Sequence, residues 1–148
     1  MKKSVFLMIL AAVFAFASCG SMSNVSSTDS TAKTMGTSCG SALASLYKSY
    51  KAAGNKLNMN DGTVLTSAIA LSTSISGLKQ NANNSTYRKS YIAGMVLGSS
   101  GLLSETKAGP VYDGLVNSAN ALSGINTSSS ASTLTTTANA LTTILGLF

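Results

Sequence analysis

Apolar residues recur along most of this chain with the spacing of an α-helix. Val64, Ala68, Leu71, Ile75 and Leu78 step by four, three, four and three, a single stripe on one face. Asn60 or Asp61 stands before that stripe as a cap, and the polar run 80–84 closes it. Upstream, Leu43, Leu46 or Tyr47, Tyr50 and Leu57 repeat at similar intervals, with Gly54-Asn55 as a stop. Downstream, Ser85 or Thr86 caps a third segment, from Tyr87 to about Leu103, that places Tyr91, Met95, Gly98 and Leu102 on one side. Gly109-Pro110 reads as a break, with Pro110 the first residue of a fourth helix bearing Leu115, Ala119 and Leu122 before Gly124. A fifth segment, from about Ser129, carries Leu134, Ala138, Leu141, Leu145 and Phe148. The pattern predicts an all-α domain over residues 39–148, a small bundle of about five short helices.

Two features qualify that reading. Serine and threonine are mediocre helix formers, and residues 68–75 also alternate in a way a strand would accept; alanine and leucine content favours the helix. Gly94 and Gly98 form a small-x-x-x-small pair, and glycine inside a helix costs about 1 kcal/mol relative to alanine, so either close helix packing or a frayed or kinked helix end is expected there. A faint echo between residues 118–122 and 137–141 is of the size that composition alone produces.

The first nineteen residues are built differently. Lys2 and Lys3 precede an unbroken apolar run of thirteen residues, Val5 to Ala17, followed by Ser18 and Cys19. Thirteen residues fall short of the eighteen or more of a spanning helix and suit the core of an export signal. The segment Phe16-Ala17-Ser18-Cys19 resembles the lipobox of bacterial lipoproteins, in which small residues precede a cysteine that is acylated and becomes the first mature residue. Phe16 departs from the usual aliphatic residue of that motif. The resemblance implies a signal peptide over residues 1–18, lipidation of Cys19 and a membrane partner held through the lipid. Gly20, in place of an aspartate, implies the outer membrane. The competing site, Ala15-Phe16-Ala17, would release a soluble secreted protein beginning at Ser18, in which Cys19 and Cys39 close a disulfide loop of about twenty residues. Residues 19–38 are dominated by Ser, Thr, Gly and Asn and read as a flexible tether.

Composition narrows the chemistry. The chain has no histidine, so no histidine-based nucleophile system and no histidine metal ligand exists in it. Asp61, Glu105 and Asp113 are the carboxylates of residues 39–148 and come from separate segments; Asp61 suits a cap and Asp113 a first helical turn. Asn58, Asn60, Asp61 and Gly62 lack the ligand spacing of a calcium loop, and no phosphate-binding glycine loop is present. Ser-x-x-Lys occurs four times in unrelated contexts, without the partner motifs of penicillin-binding enzymes. The expectation is a non-enzymatic chain with no cofactor and no metal. Lysine and arginine number ten, Lys2 and Lys3 among them, against four acidic residues. Tyr47-Lys48 with Tyr50-Lys51, and Tyr87-Arg88-Lys89 with Tyr91, interleave rings and cations. Lys48, Lys51, Arg88 and Lys89 are therefore candidate contacts for an anionic surface such as lipid or polysaccharide, while nucleic acid is not an expected partner of an exported protein. The same residues also suit the rim of a core, with tyrosines half-buried and lysine stems lying over them.

Overall fold

The computed structural model describes residues 29–148, and their secondary structure is helical throughout. The helices are α1 (Ser30–Ala52), α2 (Gly62–Ser74), the single turn α3 (Leu78–Asn81), α4 (Ser85–Gly98), α5 (Glu105–Ser123) and α6 (Ala131–Leu145). Among the described residues no helix is long and apolar enough to cross a membrane. Cys19 and the segment read as an export signal lie outside the described residues.

Short polar side chains start these helices. Asp29, Asp61, Asn84, Ser104 and Ser130 each accept a hydrogen bond from a backbone N–H of the first turn, at 2.8 to 3.4 Å. Each satisfies a donor that the helix leaves unpaired. The cap of α4 is therefore Asn84 rather than Ser85 or Thr86. Gly54 and Asn55, with φ of 70° and 64°, turn the chain after α1 where a stop was expected.

Four expectations are corrected. The tether does not reach residue 38: α1 begins at Ser30, and Ala32 and Gly36 are buried in the bundle. The small residues that looked too polar to fold are used for close approach, and Asp29 supplies the cap. The stripe from Val64 to Leu78 is interrupted, because Gly77 at φ 86° breaks the helix and Leu78 restarts it as α3. Both pieces still bury their stripe residues, so the periodicity identified the core face and missed the bend. The third segment stops at Gly98, with Ser100 at φ 55° and Gly101 at φ 83° forming the turn, while Leu103 packs into the core from the loop. Finally, Gly109-Pro110 does not break the chain. Pro110 is the sixth residue of α5, where it withholds an N–H from the Thr106 carbonyl at a cost of about 3 kcal/mol in a helix interior. Gly109, lacking a Cβ, eases the crowding that a proline imposes on the residue before it. Burial of Ala108, Val111, Tyr112 and Leu115 around this point holds the helix together.

The core is one continuous cluster. Leu43 and Leu46 of α1, Leu71 of α2, Tyr91 and Met95 of α4, Leu115 and Leu122 of α5, and Leu141 of α6 are all fully buried. α1 packs most extensively on α4 and next on α2, while α5 joins α2, α4 and α6.

Candidate functional site

Helix backbones approach most closely, among the glycines of the described residues, at the seam between α1 and α4. Gly36 lies against the backbone of Tyr91, Gly40 against Met95 and Ser99, Gly94 against Lys33 and Thr37, and Gly98 against Thr37. Higher numbers on one helix meet higher numbers on the other, so the two run parallel. A Cβ on Gly94 would stand 2.8 Å from the Thr37 nitrogen, and one on Gly40 2.9 Å from the Ser99 nitrogen, separations a real side chain cannot adopt. Ser41 donates to the Gly98 carbonyl at 3.0 Å, and the Asp29 N–H donates to Ser90 Oγ at 3.0 Å, closing the seam at both ends. Gly36-x-x-x-Gly40 has the same spacing as Gly94-x-x-x-Gly98 and was the signal for this pairing, hidden by its place in a tether-like composition.

Beneath the seam sits a polar core of unusual content. Cys39, fully buried on α1, lies beside Tyr91 and Ser74. Burial pushes its thiol up to about 12, only partly offset by the polar hydroxyls of those two neighbours. Tyr91 donates to the Ser74 carbonyl at 2.7 Å, stacks on Tyr87 and meets Tyr112 edge-on with centroids 5.6 Å apart. Burial raises the Tyr91 phenol well above its usual range and also raises Tyr112, where Arg88 partly opposes it by favouring the ionised form. The Tyr112 hydroxyl is buried with no hydrogen-bond partner.

A pH dependence follows. In the unfolded chain the Cys39 thiol titrates near 9, and in the fold near 12, so above pH 9 the unfolded chain releases a proton that the folded one keeps. Stability is full below pH 9 and falls by roughly 1.4 kcal/mol per pH unit as pH rises from there towards 12. Urea midpoints measured between pH 7 and 11 check this, with Cys39→Ala expected to flatten the slope, the remainder coming from Tyr87, Tyr91 and Tyr112, whose phenols burial also raises.

The four candidate cations do not form one site. Arg88 pairs with Asp113 and lies over the Tyr112 ring, 4.9 Å from its centroid, so its charge is already matched inside the protein. Lys51 lies over Tyr47 and Tyr50 at 5.6 and 5.8 Å, and Tyr47 in turn stacks on Phe148 at 4.9 Å. These two arrangements are separated by most of the length of α1, about 25 Å at 1.5 Å per residue. Tyr47 and Tyr50 thus serve the edge of the core, whereas Tyr87 and Tyr91 lie within it. Lys48 and Lys89 are exposed.

Among the described residues two grooves stand out. One shallow groove runs between α5 and α6 beside Asn120, Ser132 and Thr136, and another between the loop after α1 and α6, floored by Leu57, Leu134 and Ala138 with asparagines at its rim. Both are open to solvent and neither brings titratable groups together. Among the described residues no group of three or more Cys, Asp or Glu side chains is placed to hold a metal ion. Compared with family models, with curated proteins and with solved structures, the chain matches none.

Proposed function

We propose that this chain is a lipid-anchored protein of the bacterial envelope, held at the outer membrane through an acylated Cys19, and that its helical domain works without catalysis as a structural, accessory or binding module. The observation that carries the reading is the position of Cys39. A disulfide to Cys19 would require residue 19 to come within about 7 Å, Cα to Cα, of a residue enclosed by Tyr91 and Ser74. Full burial of Cys39 disfavours that pairing and supports Cys19 as the thiol available for modification. The lipobox-like Phe16-Ala17-Ser18-Cys19 after an apolar run supplies the machinery's address. Two or more acyl chains at that cysteine are enough for stable attachment. The domain's polar core is consumed by its own packing, and its cations are dispersed, which suits a partner-binding or spacing role better than turnover.

The test is the mature N-terminus. Intact mass and palmitate labelling of the expressed protein are expected to show a diacylglyceryl-modified Cys19. Cys19→Ser is expected to abolish labelling and move the protein from the membrane pellet to the soluble fraction. An unmodified chain starting at Ser18 would overturn the proposal.

A further inference from the structure

The start of α1 changes what a lipid anchor would do. With the helix capped at Asp29, only residues 20–28 separate Cys19 from the folded domain, ten Cα steps of at most about 3.6 Å, or roughly 35 Å at full stretch. The point of attachment is also defined: the Asp29 N–H is bonded to Ser90 of α4. Seven residues further along α4, about 10 Å, stands Leu97, which is 66% exposed. Among the described residues Leu97 and Leu147 are the large apolar side chains left in solvent.

Leu97 belongs to a particular face. Ala93, one turn before it, is exposed, and exposed Lys89 lies a further turn towards the anchored end. Across the glycine seam, the neighbouring strip of α1 carries Thr34, Thr37 and Ser41, then exposed Lys48 two turns beyond Ser41. The three hydroxyls all donate inward: Thr34 to the Ser30 carbonyl, Thr37 to the Lys33 carbonyl and Ser41 to the Gly98 carbonyl, at 2.9 to 3.0 Å. Their donor demand is met within the protein, so covering this strip removes little hydration. The close approach of the two helices sets their outer strips side by side.

We infer that the outer face of the α1–α4 seam docks flat on an anionic bilayer surface, with Leu97 dipping below the headgroups and Lys48 and Lys89 contacting lipid phosphate at either end. The inference rests on the lipid-anchor reading, which fixes the membrane within reach of this face. Charge selects the occupant. Two copies of the chain paired through this face would set lysine against lysine, with one leucine each for a core, whereas anionic headgroups complement both ends and a single apolar side chain suffices for a protein already tethered.

The experiment uses the full lipidated protein reconstituted into vesicles of phosphatidylcholine with or without phosphatidylglycerol, its intact mass recorded first. A polarity-sensitive fluorophore is placed at Leu97→Cys and, separately, at Thr135→Cys, an exposed position on α6; Cys39 is buried and Cys19 is blocked by lipid. The expected result is a blue-shifted label at 97 quenched several-fold less by aqueous iodide than the label at 135, the protection growing with phosphatidylglycerol and falling in Lys48→Glu/Lys89→Glu. Equal quenching at both positions in protein of lipidated mass would overturn the docked face and leave the anchor standing. A disulfide-linked dimer through position 97 would overturn it in favour of a second copy. An unlipidated mass would instead remove the anchor, and the docked face with it.

Discussion

Gly36→Ala and Gly94→Ala are each expected to lower the stability of the protein by about 2 to 3 kcal/mol or more, although alanine is the better helix former by about 1 kcal/mol. The reason is what the new methyl group meets. On Gly36 it would lie 2.8 Å from the Tyr91 carbonyl carbon and closer still to its oxygen; on Gly94 it would stand 2.8 Å from the Thr37 nitrogen and 3.0 Å from the Gly36 carbon. These neighbours are backbone, which has no rotamer to change, so the helices must move apart. Separation loosens the packing of Tyr91 and Met95, both fully buried at this seam. Against a typical total of about 5 to 15 kcal/mol, the loss is large. Once one substitution has opened the seam, the second has less to displace, so the double variant is expected to cost less than the sum. Gly62→Ala supplies the opposite sign. Gly62 opens α2 with nothing near its missing Cβ, and the substitution is expected to gain up to about 1 kcal/mol. Urea denaturation of the four proteins, read as shifts in midpoint, decides the matter. Wild-type midpoints in Gly36→Ala and Gly94→Ala would mean that the helices do not approach this closely.

Tyr91→Phe and Tyr112→Phe are expected to differ although both remove one hydroxyl from a fully buried ring. The Tyr91 hydroxyl donates to the Ser74 carbonyl at the end of α2, one of the acceptors that a helix C-terminus leaves open. Removing it strands that acceptor in the core and is expected to cost about 1 to 3 kcal/mol. The Tyr112 hydroxyl has no partner to lose, so its removal is expected to be neutral or mildly stabilising. Tyr91→Ala, which empties the centre of the aromatic cluster, is expected to cost about 3 to 5 kcal/mol. Thermal and chemical denaturation monitored by far-ultraviolet circular dichroism would measure all three. A Tyr112→Phe variant as damaged as Tyr91→Phe would show that Tyr112 holds a partner through bound water.

What could be read in the sequence was the part governed by apolar side chains. Val64, Ala68, Leu71, Ile75 and Leu78 are buried as their spacing predicts, and Leu115, Ala119 and Leu122 likewise. Asp61 caps α2 because its carboxylate reaches the Thr63 and Val64 N–H groups, a local contact that sequence alone displays. The first turns of α1 were hidden because their burial depends on small residues meeting a partner some sixty positions away; composition registers Gly36 and Gly40 as flexible, while the partner backbone makes them core. Pro110 misled for a related reason. The local rule that ends a helix at proline was overridden by the packing of Val111, Tyr112 and Leu115 around it. The interleaved tyrosines and cations looked like a surface, yet Arg88 is matched by Asp113 and Tyr47 by Phe148, residues that no pattern within a single segment could pair.

The parallel pairing of α1 with α4 also dictates an order of events. Their direct bonds join residues 57 and 61 positions apart, with two other helices between them. A chain emerging from its N-terminus must therefore keep the glycine face of α1 waiting until α4 has appeared, and closing so long a loop is slow relative to forming either helix. Any truncation before residue 98 leaves that face permanently uncovered, which makes nascent fragments of this protein natural clients for chaperones and early targets for proteases.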